Sequence, residues 1–356
     1  MRTILKWPGG KEKELPVIRE HIPAYSGRYV EPFVGGGAVF FDVNTPNCCI
    51  NDRSCELINL YRCVQTQDQD FIHSLQREAD AFRLLDQFTD THTEALLQLY
   101  HSETPRDAVS NFVGHYFDTV FQPLAGSYNE IFCNELKKNL TNKITRSQHL
   151  EQANGELPDD DRLNNMEAAL KSAYYMLIRF LLNHPAGLSM GQQAAVFFFI
   201  REYCYSSMFR YNASGEFNVP YGGISYNRKD FQRKIDYMLS GDVQQKLTNS
   251  MIENNDFEMF MEGLHLTRND FVFLDPPYDS DFSTYAQNIF GREEQIRLCE
   301  HLRRTPAKIL LVIKNTDFIR ELYQNDFRIT SFSKRYLVSF MNRNERDATH
   351  LIITNY

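Results

Sequence analysis

The chain has 356 residues, 42% of them hydrophobic and 24% charged, with a formal net charge of −8. That is the balance of an ordinary globular protein of about two domains. No apolar run reaches membrane-spanning length, and a Pro-Gly turn at Pro8-Gly9 stands where a signal peptide would need its apolar core. A cytoplasmic protein without membrane contact is therefore expected. The seven cysteines are odd in number and none form a Cys-x-x-Cys pair, which argues against a disulfide framework and against a zinc site.

In chain order, Lys6-Trp7-Pro8-Gly9-Gly10-Lys11 is a turn carrying the only tryptophan. It is either a ligand loop or the start of the helix that follows, with Leu15, Ile18 and Ile22 on one face. Tyr29-Val30-Glu31-Pro32-Phe33 is strand-like and runs into Val34-Gly35-Gly36-Gly37, with a helix from Ala38 to Val43. Strand, glycine loop and helix together let a ligand approach backbone and helix N-terminus. Cys48-Cys49-Ile50-Asn51-Asp52 is a second strand ending in an acid. Asp52 lies at the spacing that suits ribose hydroxyls, and it also suits an N-cap for the helix from Ser54 to Val64.

From about Gln67 to Tyr205 the pattern turns helical, most regularly between Leu163 and Asn183. This block interrupts a strand-helix alternation, so it reads as an inserted domain. Gln152 to Asp161 is polar and predicts a mobile loop. Basic residues gather at Lys6, Lys11, Lys13 and Arg19, at Lys137, Lys138, Lys143 and Arg146, and at Arg201, Arg210, Arg228, Lys229, Arg233 and Lys234. A negative net charge can hide such basic faces. Around 208–226, Arg210, Tyr211, Asn212, Phe217, Asn218 and Tyr221 mix aromatics with amides about a turn at Ala213–Glu216. That texture predicts a hairpin, either entering a DNA groove or covering the core.

Alternation resumes with a strand within Leu247–Asn254 and Asn255-Asp256-Phe257 at a helix start. The decisive stretch is Phe271-Val272-Phe273-Leu274-Asp275-Pro276-Pro277-Tyr278. Four apolar residues suit a doubly buried strand, and two prolines then end its ladder and fix the backbone. A carboxylate, a carbonyl and a ring at a strand's C-terminal end suit a planar molecule bearing an amino group. A plain proline-capped strand end is the bland alternative. A loop with Phe282 and Tyr285, a helix over 293–303, a strand at Ile309–Ile313, a helix at Asp317–Tyr323 and strands at Phe327–Phe332 and Thr349–Thr354 complete the chain.

With these pieces in order, the chain resembles the Dam-type adenine-specific DNA methyltransferases. The resemblance rests on Leu5–Lys11, Glu31–Phe40, Asn51-Asp52, Arg210-Tyr211-Asn212 with Gly215–Gly222, and Asp275–Tyr278. Pro8 stands where the family often has alanine, and the stretch from about 67 to 205 carries no alignable motif. The resemblance implies an α/β Rossmann-like sheet dependent on S-adenosylmethionine, formed by 1–66 and 245–356. It also implies a mostly helical DNA-recognition domain over 67–244. Trp7, Lys11, Phe33, Gly35, Gly37, Asp52, Asp256, Phe257 and Asp275 are then expected at the cofactor. Asp275, Pro276 and Tyr278 are expected at the target base, and Arg210, Tyr211, Asn212, Asn218 and Tyr221 on DNA, with no metal. The implied activity is methylation of adenine N6 in double-stranded DNA, with GATC-like sites a guess. The expected form is a monomer, with a separately encoded restriction endonuclease as a candidate partner. The alternatives are a catalytically inactive DNA-binding relative and an N-methyltransferase acting on RNA or a protein amide. A nicotinamide dehydrogenase fits poorly, because the glycine loop is not Gly-x-Gly-x-x-Gly.

Overall fold

The computed structural model describes residues 1–277, 290–335 and 347–356, with side chains at 333–335 and 347–348 not described. Tyr278, Phe282 and Tyr285 lie outside the described residues. The chain forms two compact units, Met1–Gln67 with Tyr237–Tyr356, and Asp68–Asp236.

The first unit begins with α1 (Leu15–His21), β1 (Tyr29–Glu31), α2 (Ala38–Asp42), β2 (Cys48–Asn51) and α3 (Cys55–Thr66). The second unit holds α4 (Gln69–Thr91), α5 (Thr93–Tyr100), α6 (Pro105–Tyr116), α7 (Gln122–Ala125), α8 (Asn129–Asn154), α9 (Asp159–Asn183), α10 (Met190–Tyr203) and α11 (Ile224–Asn227). Helix α12 (Phe231–Met238) straddles the boundary. The first unit then resumes with α13 (Gly241–Thr248), β3 (Ser250–Glu253), α14 (Phe257–Gly263), β4 (Phe271–Leu274), α15 (Arg292–Arg304), β5 (Lys308–Lys314), α16 (Asp317–Tyr323), β6 (Arg328–Arg335) and β7 (Asp347–Thr354). The return to the first unit comes at 237 rather than 245. At that point Tyr237 is tied to the start of the chain, its hydroxyl accepting the Arg2 N–H at 2.7 Å and donating to the Arg2 carbonyl at 2.6 Å.

One seven-stranded sheet organises the first unit, in the order β3-β2-β1-β4-β5-β7-β6. The first five strands in that order are parallel, and β7 is antiparallel to both its neighbours. Every residue of β1, β2 and β4 is buried, as expected for a sheet covered on both faces. The strand order reverses at β1, which pairs with β2 on one side and β4 on the other. A crevice therefore opens at the C-terminal ends of β1 and β4, the usual ligand position in such sheets. This is the expected Rossmann-like methyltransferase architecture.

The second unit is a helical core built on aromatic rings. Phe82 of α4 packs against Tyr174 of α9, Phe199 and Tyr203 of α10, and Tyr221, with centroids 4.5 to 6.2 Å apart. On α8 the buried Phe132, Leu136, Leu140 and Ile144 recur every fourth residue and form one apolar stripe. The expected mobile loop at 152–161 is instead mostly helix. Arg162 bonds Glu151 at 3.0 Å and Asp159 at 2.9 Å, and the Leu157 N–H donates to Glu151, so the junction of α8 and α9 is tied from three sides.

Candidate active site

The loop after β1 is shaped by two glycines in the left-handed region, Gly35 at φ 48° and Gly37 at φ 71°. A side chain at Gly35 would put its Cβ 2.8 Å from Trp7 Cδ1, so the indole lies directly over the loop. The loop is held on other sides too. The Gly35 N–H donates to Asp52 Oδ2 at 2.9 Å, and the Tyr61 hydroxyl donates to the Gly35 carbonyl at 2.7 Å.

Asp52 is latched by its second oxygen, which accepts the Ser54 N–H at 2.9 Å. It is not the N-cap of α3; Ser54 is, accepting the Leu57 N–H. Burial raises the Asp52 pKa, and the backbone N–H groups of Ser54, Gly35 and Arg53 oppose that rise. Asn51, one residue earlier at the end of β2, is buried and ties two loops to that strand. It donates to the Pro32 and Asn255 carbonyls, both at 3.0 Å, and accepts the Asn255 N–H at 2.8 Å.

Next to this loop stands an aromatic group of Phe33, Phe257 and Phe290, with centroids 5.4 to 5.8 Å apart. Asp256 caps α14 through the Glu258 N–H. Arg297 pairs with Asp256 at 2.5 Å and lies over the Phe257 ring at 4.6 Å. Phe33, Phe257 and Phe290 thus supply apolar surface from rings set at angles to one another, and Asp52 supplies a carboxylate on the loop backbone.

The corner after β4 adjoins the loop after β1, because β1 and β4 are direct neighbours. Asp275 accepts from the Lys11 ammonium at 2.5 Å, and Lys11 also donates to the Gly9 carbonyl at 2.8 Å. Lys11, expected at the cofactor, is thus buried on the Asp275 carboxylate. Among the described residues nothing donates to the Pro276 carbonyl. Glu31, at the end of β1, is buried and accepts from the Tyr29 hydroxyl at 2.5 Å. Burial pushes its carboxyl pKa well up, and the nearby Asp275 charge adds to the rise.

In the second unit, the segment after α10 forms a loose ribbon with two isolated antiparallel bridges, Cys204 to Tyr221 and Tyr211 to Phe217, rather than a regular hairpin. Its anchoring is by side chains. Asn183 donates to the Phe217 carbonyl at 3.0 Å and accepts its N–H at 2.8 Å, as a neighbouring strand would. Buried Arg201 holds the Ser207 and Met208 carbonyls at 2.7 and 2.8 Å. Asn212 shapes the tip by accepting the Ser214 and Glu216 N–H groups. Arg210 is exposed and braced by Asn218, with Nε to Oδ1 at 2.7 Å. Tyr221 is buried, and its hydroxyl bonds Asn227 at 3.0 Å, so this residue belongs to the core and not to an outer face. The third basic group is divided in the same way, since Arg201 is buried and Lys229 lies over the Tyr226 ring.

Asn51 and Tyr61 hold the loops of the site, and Gln295 donates to the Pro277 carbonyl at 3.0 Å; none of the three is singled out as a site residue by the sequence. Asn51 carried one available signal, an amide closing an otherwise apolar strand, where asparagine is depleted.

The model of the D12 class N6 adenine-specific DNA methyltransferases matches this chain over residues 7–161 and 127–338. Three curated relatives align along most of its length. The Type II methyltransferase M.CviBI of Paramecium bursaria Chlorella virus NC1A is 28% identical over 362 residues, covering 100% of both chains. The retron Ec67 DNA adenine methylase of Escherichia coli is 25% identical over 328 residues, covering 91% of this chain and 81% of its own. The DNA adenine methylase of Serratia marcescens is 23% identical over 334 residues, covering 91% and 87%.

Proposed function

Because the chain belongs to the D12 class of N6 adenine-specific DNA methyltransferases, we propose that its methyl donor is S-adenosylmethionine and that Asp275 and Pro276 hold the target amine. The family's activity, transfer of a methyl group to adenine N6 in DNA, is the activity of this chain. The observation that carries the residue assignment is the position of the proline corner. It stands at the end of β4 beside the glycine loop of β1, where the strand order reverses.

The residues present fit the donor. Gly35 and Gly37 let the loop pack closely, since a Cβ would crowd Trp7 at the first and Phe41 and Tyr61 at the second, and Trp7 roofs the loop. Asp52 would accept ribose hydroxyls, while Phe33 and Phe257 would flank the adenine ring and Asp256 its amino group. The bound donor supplies an electrophilic methyl group. Adenine's amine is a weak nucleophile, because its lone pair is delocalised into the ring. The Asp275 carboxylate and the Pro276 carbonyl would each accept one of its N–H bonds, favouring a pyramidal nitrogen whose lone pair points away from both. Lys11 fixes the direction of the Asp275 carboxylate through its ammonium group. This is alignment plus electrostatic stabilisation with no covalent intermediate. Tyr278 is proposed to stack on the extruded base.

The second unit is proposed to carry recognition of double-stranded DNA on the ribbon bearing Arg210, Tyr211, Asn212 and Asn218. An exposed guanidinium braced by an amide suits a phosphate or a guanine edge. Monomeric action and a separate cognate endonuclease also remain proposals. Asp275→Ala provides the test, with radiolabelled donor and unmethylated plasmid DNA. Transfer should fall below detection while donor binding persists in calorimetry. Transfer that survives the substitution removes Asp275 from the assigned role. Label appearing on RNA or protein instead of DNA would overturn the choice of substrate.

A further inference from the structure

The two prolines restrict most of the corner's torsions covalently. The rings lock φ at Pro276 and Pro277. Asp275 and Pro276 each precede a proline, which confines their ψ to the extended region. Two torsions are left open: φ of Asp275, about which the stiff corner can swing as a body, and ψ of Pro277, which sets the plane of the Pro277 carbonyl. That carbonyl accepts from Gln295 Nε2 at 3.0 Å.

Gln295 lies in the first turn of α15 and is fully buried. Its Oε1 is buried with no hydrogen-bond partner among the described residues. A buried acceptor left unpaired costs about 1–3 kcal/mol. An apolar side chain of the same shape would remove that cost but would also take the donor from the Pro277 carbonyl, so on stability the two changes largely offset. What the amide does is donate to the one corner carbonyl whose orientation the prolines leave open.

We propose that Gln295 is a positioning residue for methyl transfer, which anchors the far end of the stiff Asp275-Pro276-Pro277 corner through the Pro277 carbonyl and so stops the corner from swinging about Asp275. The inference rests on the reading of that corner as the holder of the target amine. Gln295 touches neither substrate nor donor in this role. Its effect is on geometry, and misplacement of reacting groups by about 1 Å costs on the order of a hundredfold in rate.

The test compares wild type, Gln295→Met, Gln295→Glu and Asp275→Ala as full-length proteins. Single-turnover methylation of unmethylated plasmid DNA with S-adenosylmethionine is measured beside donor affinity and thermal midpoint. Gln295→Met and Gln295→Glu should slow transfer by about tenfold to a hundredfold. Donor affinity should stay within about twofold. The midpoint of Gln295→Met should move little, since the orphaned acceptor and the bond to the Pro277 carbonyl are lost together. Gln295→Glu should regain rate relative to wild type as pH falls, because a protonated carboxyl donates where Nε2 did. Wild-type rates in both variants overturn the proposal, as do rate losses that simply follow a lowered midpoint or weakened donor binding. If Asp275→Ala still transfers methyl, it is the reading of the corner that fails. If Asp275→Ala is inactive and both Gln295 variants run at full rate, only the role of Gln295 fails.

Discussion

Replacing Gly35 by alanine tests the glycine loop with a single added carbon. The residue sits at φ 48°, where an L-side chain costs about 1–2 kcal/mol. The new Cβ would also stand 2.8 Å from Trp7 Cδ1 and 3.2 Å from Nε1, inside the ~3.5–4.0 Å of an ordinary carbon contact. The loop has little room to retreat, because Asp52 holds its N–H and Tyr61 holds its carbonyl. The displacement therefore falls on the indole. Strain and lost packing together should lower stability by about 2–3 kcal/mol, within the upper range for single substitutions. Donor affinity should weaken by about tenfold, equivalent to about 1.4 kcal/mol. Trp7 is the only tryptophan, so intrinsic emission reads this loop alone. The variant's emission should shift to the red, and donor binding should perturb it less. Gly114→Ala is the control, since nothing lies within 4 Å of its Cβ position inside α6. That change should leave emission untouched and be neutral or stabilising by up to about 1 kcal/mol. Unchanged emission, midpoint and donor affinity in Gly35→Ala would refute the idea that the loop is closed on Trp7.

Asp52→Ala should weaken donor binding by about tenfold to a hundredfold, the range for lost charge-assisted hydrogen bonds, and an unaltered calorimetric constant would reduce Asp52 to a loop latch. Arg210→Ala should weaken DNA binding and lower the slope of log affinity against log salt by about one; an unmoved slope places the ribbon away from phosphate. Glu78→Gln should change the pH dependence of stability. Glu78 is buried, accepts from the Tyr174 hydroxyl at 2.5 Å, and has its pKa raised by burial. A raised folded-state pKa adds stability below the unfolded value of about 4.3, and that stability is lost as pH rises through the folded value. Glutamine keeps the acceptor and does not titrate, so the variant's midpoint should gain on wild type from acid to neutral pH. Parallel midpoints across that range would show that Glu78 does not titrate differently on folding.

How much was legible in advance depended on how local the cause was. Phe271–Leu274 followed by two prolines declares a buried strand and its end, whatever the surroundings. The glycines at 35 and 37 likewise announce backbone that other residues resist, and both occupy the left-handed region. The elements at 29–31, 48–51, 308–314 and 317–323 fall close to where periodicity and turn residues put them. Side-chain partners were a different matter. Lys11 is 264 residues from Asp275, and nothing near either residue indicates that one would cover the other. Tyr221 has a composition equally suited to a DNA face or a core, and only the packing of Phe82, Tyr175 and Tyr203 around it decides for the core. Arg201 and Lys229 counted as basic surface until the ribbon's carbonyls and rings claimed them.

The sequence by itself determined that a strand, a glycine turn and a proline corner exist, because each follows from steric limits on a few adjacent residues. Only the tertiary structure brought the turn and the corner together, because the pairing of β1 with β4 is a hydrogen-bond choice between segments some 240 residues apart. It alone also decided which charges stay outside, since burial of a lysine or arginine depends on the acceptors that distant chain delivers to it.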